Sequence, residues 1–270
     1  MRRFFHAQKD NRGVYVKMKG VIMNKKQKKL VALAAALAIS FGIIPAANAM
    51  HIMEGYLPPV YCIVWGVICI PFLVAGFFSI KNTLNTNRRA LTILAMAGAF
   101  IFVISSLKIP SVTGSCSHMT GTGLGAILFG PAAVSILGII VLVFQAILLA
   151  HGGLTTLGAN TFSMAIAGPF LSYGIYKFCM KLKVNKLVSI FLAATLGDLF
   201  TYCITAFQLA LAHPSEAGGV PASAVKFLAV FAPTQVPLAI LEGIITVLII
   251  IGLETYAKKE LKSIGFMKEA

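Results

Sequence analysis

A free α-amine followed by a backbone amide and a histidine side chain chelates divalent transition metals strongly. Residues Met50 and His51 would provide these groups if the chain were cut after Ala49. The α-amine of Met50, the amide nitrogen of His51 and the His51 Nδ1 would then close two fused rings around one ion. Cleavage at this point would therefore create a metal site.

The segment before Met50 has the three parts of a secretory signal peptide. A basic run with four lysines between residues 25 and 29 precedes an apolar stretch over 30–44, and small residues follow at Ala47 and Ala49. About 15 apolar residues are fewer than the roughly 20 that a membrane-spanning helix needs, so cleavage is favoured over a retained anchor. We predict a signal peptide over 23–49 and a mature domain over 50–270. Residues 1–22 are uninformative, and we interpret them as the result of a misplaced start codon.

The composition indicates a membrane protein. The chain is 58% hydrophobic and 11% charged, with a mean hydropathy of +0.88, which excludes a soluble domain of this length. The net charge of +15 does not imply nucleic-acid binding, because ten of the 23 basic residues precede residue 30. From Met50 onward, 13 basic and 7 acidic residues remain.

Apolar stretches long enough to cross a bilayer as helices lie at about 60–80, 91–109, 121–150, 160–180, 187–212 and 235–257. The third stretch contains Gly130-Pro131, where proline would break a helix, so it is either one kinked crossing or two. If it counts as two, 11 of the 13 basic residues lie on the side of the C-terminus, as the positive-inside rule requires of the cytoplasmic side. If it counts as one, only 4 of 13 lie inside. We therefore predict an all-α, multi-pass fold of about seven transmembrane helices, with the mature N-terminus outside and the C-terminus in the cytoplasm.

This topology brings a second histidine to the outer face. The loop over 110–120 returns to the side where Met50 and His51 begin, and it carries His118. A nitrogen from His118 would complete a planar four-nitrogen shell, the geometry that suits Ni(II), Cu(II) and low-spin Co(II). Although a lone histidine in an apolar chain is more often a packing residue, the shared face favours the ligand interpretation here.

Four motifs of the mature chain are distinctive: Met-His-Ile-Met-Glu-Gly-Tyr-Leu-Pro-Pro over 50–59, Ser-Val-Thr-Gly-Ser-Cys-Ser-His over 111–118, Gly-Thr-Gly-Leu-Gly over 121–125, and His-Gly-Gly-Leu-Thr-Thr-Leu-Gly-Ala-Asn over 151–160. Together they resemble the CbiM family, the cobalt-binding membrane component of energy-coupling-factor (ECF) transporters. The order of apolar stretches resembles the family over the whole mature chain.

The resemblance implies a substrate-binding core of six helices shared with vitamin-binding relatives, plus an extra N-terminal helix. It implies a site in which Met50, His51 and His118 hold Co(II) as the transported substrate. It also implies partners in a bacterial or archaeal plasma membrane: a CbiQ-like coupling subunit, two CbiO-like ATPase subunits and a CbiN-like small membrane protein. The cobalt would supply cobalamin biosynthesis.

Three other functions are alternatives to cobalt capture. Ni(II) suits the same nitrogen donors, so a nickel-specific component is the nearest alternative. A vitamin-binding component is the second. An intramembrane enzyme is disfavoured, because the sequence contains no H-E-x-x-H or G-x-S-x-G motif. The sequence also has no G-x-x-x-x-G-K-[ST] loop, so partner subunits would have to hydrolyse ATP.

Five further polar residues have two interpretations each. Asn160 either caps a helix or holds the second nitrogen of a histidine ligand. Glu54 either contacts the site or faces water. His151 was interpreted as a structural hydrogen-bonding residue, with metal binding as the alternative. Asp198 and Glu242 fall within apolar helices, where ionisable groups are costly and are therefore functional candidates, although each could simply pair with a neighbour.

Overall fold

The computed structural model describes residues 51–88, 90–110 and 116–267, and these ranges are predominantly helical. The predicted lead, the signal peptide and Met50 lie outside the described residues. The elements are α1 (Pro59–Thr86), α2 (Ala90–Ser106), β1 (Ile109–Pro110), β2 (Cys116–Ser117), α3 (Thr122–Phe129), α4 (Pro131–Leu149), α5 (Leu157–Asn160), a π-helical segment (Thr161–Ala167), α6 (Gly168–Lys181), α7 (Lys186–Ala212), α8 (Gly219–Tyr256) and α9 (Lys258–Ser263).

Among the described residues, four helices are long and apolar enough to cross a bilayer: α1, α4, α7 and α8. The 17-residue α2 is also apolar but shorter. Large apolar side chains remain exposed along these helices, as at Phe77 and Phe78 of α1. A surface of this kind is suited to lipid contact. The predicted all-α, multi-pass membrane fold is confirmed, while the number of seven crossings stays a prediction.

The third apolar stretch divides at Gly130-Pro131, as the proline indicated. Helix α3 ends at Phe129, Gly130 adopts a positive φ of 84°, and Pro131 occupies the first turn of α4. Proline is well accommodated there because the first N–H groups of a helix have no partner within it. The eight residues of α3 extend only about 12 Å, so α3 by itself is too short to cross the bilayer.

Helix α8 is longer than the sequence indicated. The apolar stretch was expected to start near residue 235, but α8 begins at Gly219 and continues through Pro233 and Pro237 for 38 residues. Prolines are tolerated inside membrane helices where neighbouring groups satisfy the freed backbone. Packing against α7 also holds this part of α8, because the Tyr202 hydroxyl donates a hydrogen bond to the Leu228 carbonyl.

The helix ends form two groups, which we name the basic end and the histidine end. At the basic end, the Asn87 amide of the α1–α2 loop donates to the Ser263 carbonyl of α9, and Lys186 of α7 pairs with Glu254 of α8. At the histidine end, the chain before α1 contacts the loops that follow α4 and α7. The loops in which the topology assigned basic residues to one side therefore share an end, as far as the described residues show. Which end faces the cytoplasm stays a prediction.

Helix α4 packs closely against the π-helical segment at Gly138. A substitution at this position tests the contact. A β-carbon at Gly138 of α4 would lie 2.3 Å from the Cβ of Ala165 in the π-helical segment. We expect Gly138→Ala to push the two elements apart and to lower the free energy of unfolding by about 1–3 kcal/mol. A lower melting temperature of the detergent-purified chain would report this loss. Gly252→Ala is the matched control, since a Cβ there meets no described atom within 4 Å outside its own helix. Equal losses in the two variants would contradict the prediction.

Candidate metal centre

Three histidines from distant parts of the chain meet at the histidine end. His51 precedes α1, His118 follows β2 and His151 follows α4. Their possible ligand nitrogens all lie within 4.8 Å of one another, and the side chains are between 0 and 2% exposed. Among the described residues, this histidine cluster is the group of three or more potential ligands that could hold a metal ion.

A glutamine fixes the tautomer of His51. The Nε2 of His51 lies 3.1 Å from Oε1 of Gln145 on α4, and an amide oxygen only accepts hydrogen bonds. The Gln145 amide nitrogen donates in turn to the Ser105 hydroxyl at 2.6 Å, which orients the amide. His51 therefore carries its proton on Nε2, and Nδ1 keeps its lone pair. This is the nitrogen that an N-terminal chelate requires.

His118 is held in the opposite tautomer. Its Nδ1 lies 2.9 Å from the carbonyl oxygen of Met119 and donates to it. The Nε2 atom is buried and has no hydrogen-bond partner among the described residues. His118 thus presents an unshared lone pair within a dry cluster, as a metal ligand oriented by its other ring nitrogen does.

His151 has no hydrogen-bond partner on either ring nitrogen within the described part of the chain. Its ring stacks on His51, with centroids 4.4 Å apart and an interplanar angle of 24°. His118 meets both rings edge-on. The interpretation of His151 as a hydrogen-bonding structural residue therefore finds no support. Burial of an imidazole without hydrogen-bond partners costs free energy. This favours the alternative interpretation, in which His151 binds a metal ion.

Burial dominates the electrostatics of the three imidazoles. Loss of solvent lowers the pKa of His118 to about 4 and lowers the pKa values of His51 and His151 well below that of a free imidazole. The positive charge of Lys108, just after α2, acts in the same direction. At neutral pH the three rings are therefore neutral, which is the form that binds metals.

Asn160 positions the N-terminal segment through its backbone. Its Oδ1 accepts from the Ile52 amide at 2.8 Å and its Nδ2 donates to the Ile52 carbonyl at 3.0 Å, while the Thr156 hydroxyl donates to the same carbonyl at 2.6 Å. Asn160 ends α5 and precedes the π-helical segment, but its side chain makes no capping hydrogen bond there. It therefore holds the residue after His51 instead of an imidazole nitrogen.

Glu54 is exposed at the surface. Its carboxylate accepts a hydrogen bond from the Thr155 amide at 3.2 Å. Hydrogen bonds from Thr155 lower the pKa of the Glu54 carboxyl. Gly153 lies so close that an added Cβ would be 2.6 Å from the Glu54 backbone. Glu54 thus joins the N-terminal segment to the loop that carries His151.

Met50 lies outside the described residues, so the amine half of the predicted chelate stays a prediction. A half-open cavity of about 530 Å³ lies beside His51, between the N-terminal segment and residues of α8 such as Lys226 and Phe231.

Gln145 is the site residue that the sequence analysis missed. It is an amide within the otherwise apolar helix α4, and it is fully buried. A polar side chain in a membrane-spanning segment is a signal of function or helix pairing. The sequence contained that signal, but not the partner of Gln145.

Similar solved structures define the class of protein. A crystal structure described as a transition metal transporter matches with a TM-score of 0.67 and 30% identity, covering 76% of this chain and 92% of that chain. A structure described as a truncated transition metal transporter gives a TM-score of 0.66 and 30% identity, covering 76% and 99%. The fold is therefore that of membrane proteins of transition metal transport.

The family follows from closer matches. The CbiM family model, described as the cobalt uptake substrate-specific transmembrane region, matches residues 51–260. A cobalt transport protein CbiM of Lachnoclostridium phytofermentans is 78% identical, over 91% of this chain and 98% of the relative. Another, of Chlorobium limicola, is 60% identical over 83% and 88%. The chain belongs to the CbiM family and is a component of a cobalt uptake transporter, which confirms the resemblance noted in the sequence.

The Gln145 contact predicts a matched pair of variants. Gln145→Leu removes the acceptor that fixes His51 and should weaken Co(II) binding by about 10–100-fold, the usual cost of losing a group that orients a ligand. Gln145→Glu keeps an acceptor oxygen and should retain most of the affinity. Titration of the purified chain with Co(II) measures both. Binding of wild-type strength in Gln145→Leu would contradict the assigned role.

The lowered pKa values predict acid sensitivity of the metal-free chain. Folded His118 takes up a proton only near pH 4, whereas an unfolded histidine does so near 6.5. In this window the unfolded state binds more protons, so stability falls as the pH falls, by about 1.4 kcal/mol per pH unit for each such histidine. Melting temperatures measured across the window should decline steadily, and more gently in His118→Gln. A flat profile would contradict neutral burial of the cluster.

Proposed function

We propose that this chain captures Co(II) at the extracellular face and delivers it toward the cytoplasm as the substrate-binding subunit of an ATP-driven ECF transporter that supplies cobalamin biosynthesis. The observation that carries the proposal is the histidine cluster, in which His51 Nδ1 and His118 Nε2 keep their lone pairs in a buried site. The cobalt uptake family and the cobalt transport relatives support Co(II) as the substrate.

The proposed ligands are the Met50 amine, the His51 amide and Nδ1, and the His118 Nε2. The tautomer imposed by Gln145 supports this set, because it leaves free the one His51 nitrogen that can chelate together with its own amide. Cleavage after Ala49 is required, because only a free amine completes the chelate.

The energy source of transport is proposed from the lack of a phosphate-binding motif in the sequence, and its direction from the distribution of basic residues. The sequence lacks a phosphate-binding loop, so CbiO-like ATPases would act through a CbiQ-like coupling subunit, with a CbiN-like protein as a further partner. The basic end is assigned to the cytoplasm by the positive-inside rule. The histidine cluster then faces the extracellular side, where the ion is captured.

Native mass spectrometry of the purified chain tests the site and the cleavage together. We expect a mass that begins at Met50 with one bound Co(II), and we expect His51→Ala and His118→Ala each to lose at least about 100-fold in affinity, since each loses one of a few nitrogen donors. His213→Ala is the matched control: this histidine lies at the same end, but its Nε2 contacts the Tyr56 carbonyl at 2.9 Å.

Two results would count against the proposal. A chain that retains residues 23–49 and carries no metal would mean that the α-amine never forms. Unchanged Co(II) affinity in both His51→Ala and His118→Ala would show that the ion binds elsewhere.

A further inference from the structure

Two acidic side chains inside the helix bundle are not used by the proposed ligand set. Asp198 lies on α7 and Glu242 on α8, and each is 1% exposed. Ionisable groups are rare within membrane-spanning helices because their burial is costly, so those that persist have a partner or a function. The two helices that carry these residues pack against each other.

Glu242 holds the loop that carries His118. Its carboxylate accepts a hydrogen bond from the Thr120 amide at 2.6 Å and from the Thr120 hydroxyl at 3.0 Å. Thr120 is two residues after His118. The chain between β2 and α3 has no regular secondary structure, so side-chain contacts hold it in place instead of a helix or a sheet.

Gln235 holds the same loop two helical turns earlier on α8. Its Nε2 donates to the carbonyl of His118 itself at 3.2 Å and to Asp198 Oδ2 at 2.6 Å. Residues 235 and 242 are seven apart and therefore lie on one face of the helix. That face contacts the His118 loop at two points, and Asp198 orients one of them.

We propose that Glu242, Gln235 and Asp198 are positioning residues that set the location of His118 Nε2 at the metal site. The proposal rests on the proposed function, because it assigns a role toward a bound metal ion. Planar coordination tolerates little displacement of a donor, so a loop held at two backbone points is suited to present one nitrogen at a fixed place. Removal of either contact leaves a buried backbone group without its partner and frees the loop.

The test measures Co(II) affinity and the electronic absorption spectrum of the Co(II)-saturated, full-length processed chain. Glu242→Ala should weaken binding by about 10–100-fold and should change the spectrum, because the His118 nitrogen moves in the ligand field. Glu242→Gln keeps an oxygen that accepts from the Thr120 amide, so it should restore most of the affinity and the wild-type spectrum. Glu254→Gln is the matched control, since it changes an acid of the same helix that pairs with Lys186 at the basic end.

Gln235→Leu provides a second readout should Glu242→Ala fail to fold. It removes the donor to the His118 carbonyl and should shift affinity and spectrum in the same direction as Glu242→Ala. A merely structural role would lower the melting temperature but leave the spectrum of the saturated site unchanged. That result in Glu242→Ala or in Gln235→Leu would overturn the proposal, as would equal impairment of Glu242→Ala and Glu242→Gln. A wild-type chain that binds no Co(II) would instead refute the proposed function.

Discussion

Three neutral imidazoles buried against one another are the constraint on which the rest of this structure depends. Each unpaired ring nitrogen in such a place costs about 1–3 kcal/mol in the absence of a ligand. His118 Nε2 and both nitrogens of His151 are of this kind. A sequence selected for stability alone would replace these side chains with apolar ones. The presence of His118 is consistent with a site in which binding of a cation recovers the energy lost on burial of its Nε2.

The surrounding contacts follow from that constraint. A neutral histidine can offer a nitrogen to a metal ion when its other nitrogen is protonated and hydrogen-bonded. His51 and His118 both have this arrangement, with different partners. The Gln145 side-chain oxygen accepts a hydrogen bond from His51 Nε2, and the Met119 carbonyl accepts one from His118 Nδ1. Asn160 and Thr156 then fix the peptide of Ile52, so that the backbone next to His51 is as ordered as its ring.

The sequence predicted the features that depend on the order of residues along the chain and on the distribution of charged residues. The break at Gly130-Pro131 is a local pattern and the grouping of basic loops is a sum over loops, and the predicted topology placed His118 on the face of His51. The chelate of Met50 with His51 stays a prediction. The contacts of Asn160 and Gln145 could not be obtained in this way. Gln145 is 94 residues from His51, and only the register of α4 against the N-terminal segment brings them together. The length of α8 was missed because Pro233 and Pro237 indicate a helix end in water but are accommodated in a bundle.

The apolar clusters on the side of the basic end limit how a bound ion can leave. Beyond the site, α3 packs into clusters that include Leu124, Ile127 and Ile190 toward the basic end and Ile101 and Val134 beside them. Transfer of a divalent ion through such a region without ligands would cost tens of kcal/mol. An ion captured at the histidine cluster therefore cannot reach the opposite side by diffusion through this packed arrangement. Delivery would require that the helices separate or that the subunit is moved as a body. In the proposed function, the partner ATPases supply the energy for either change.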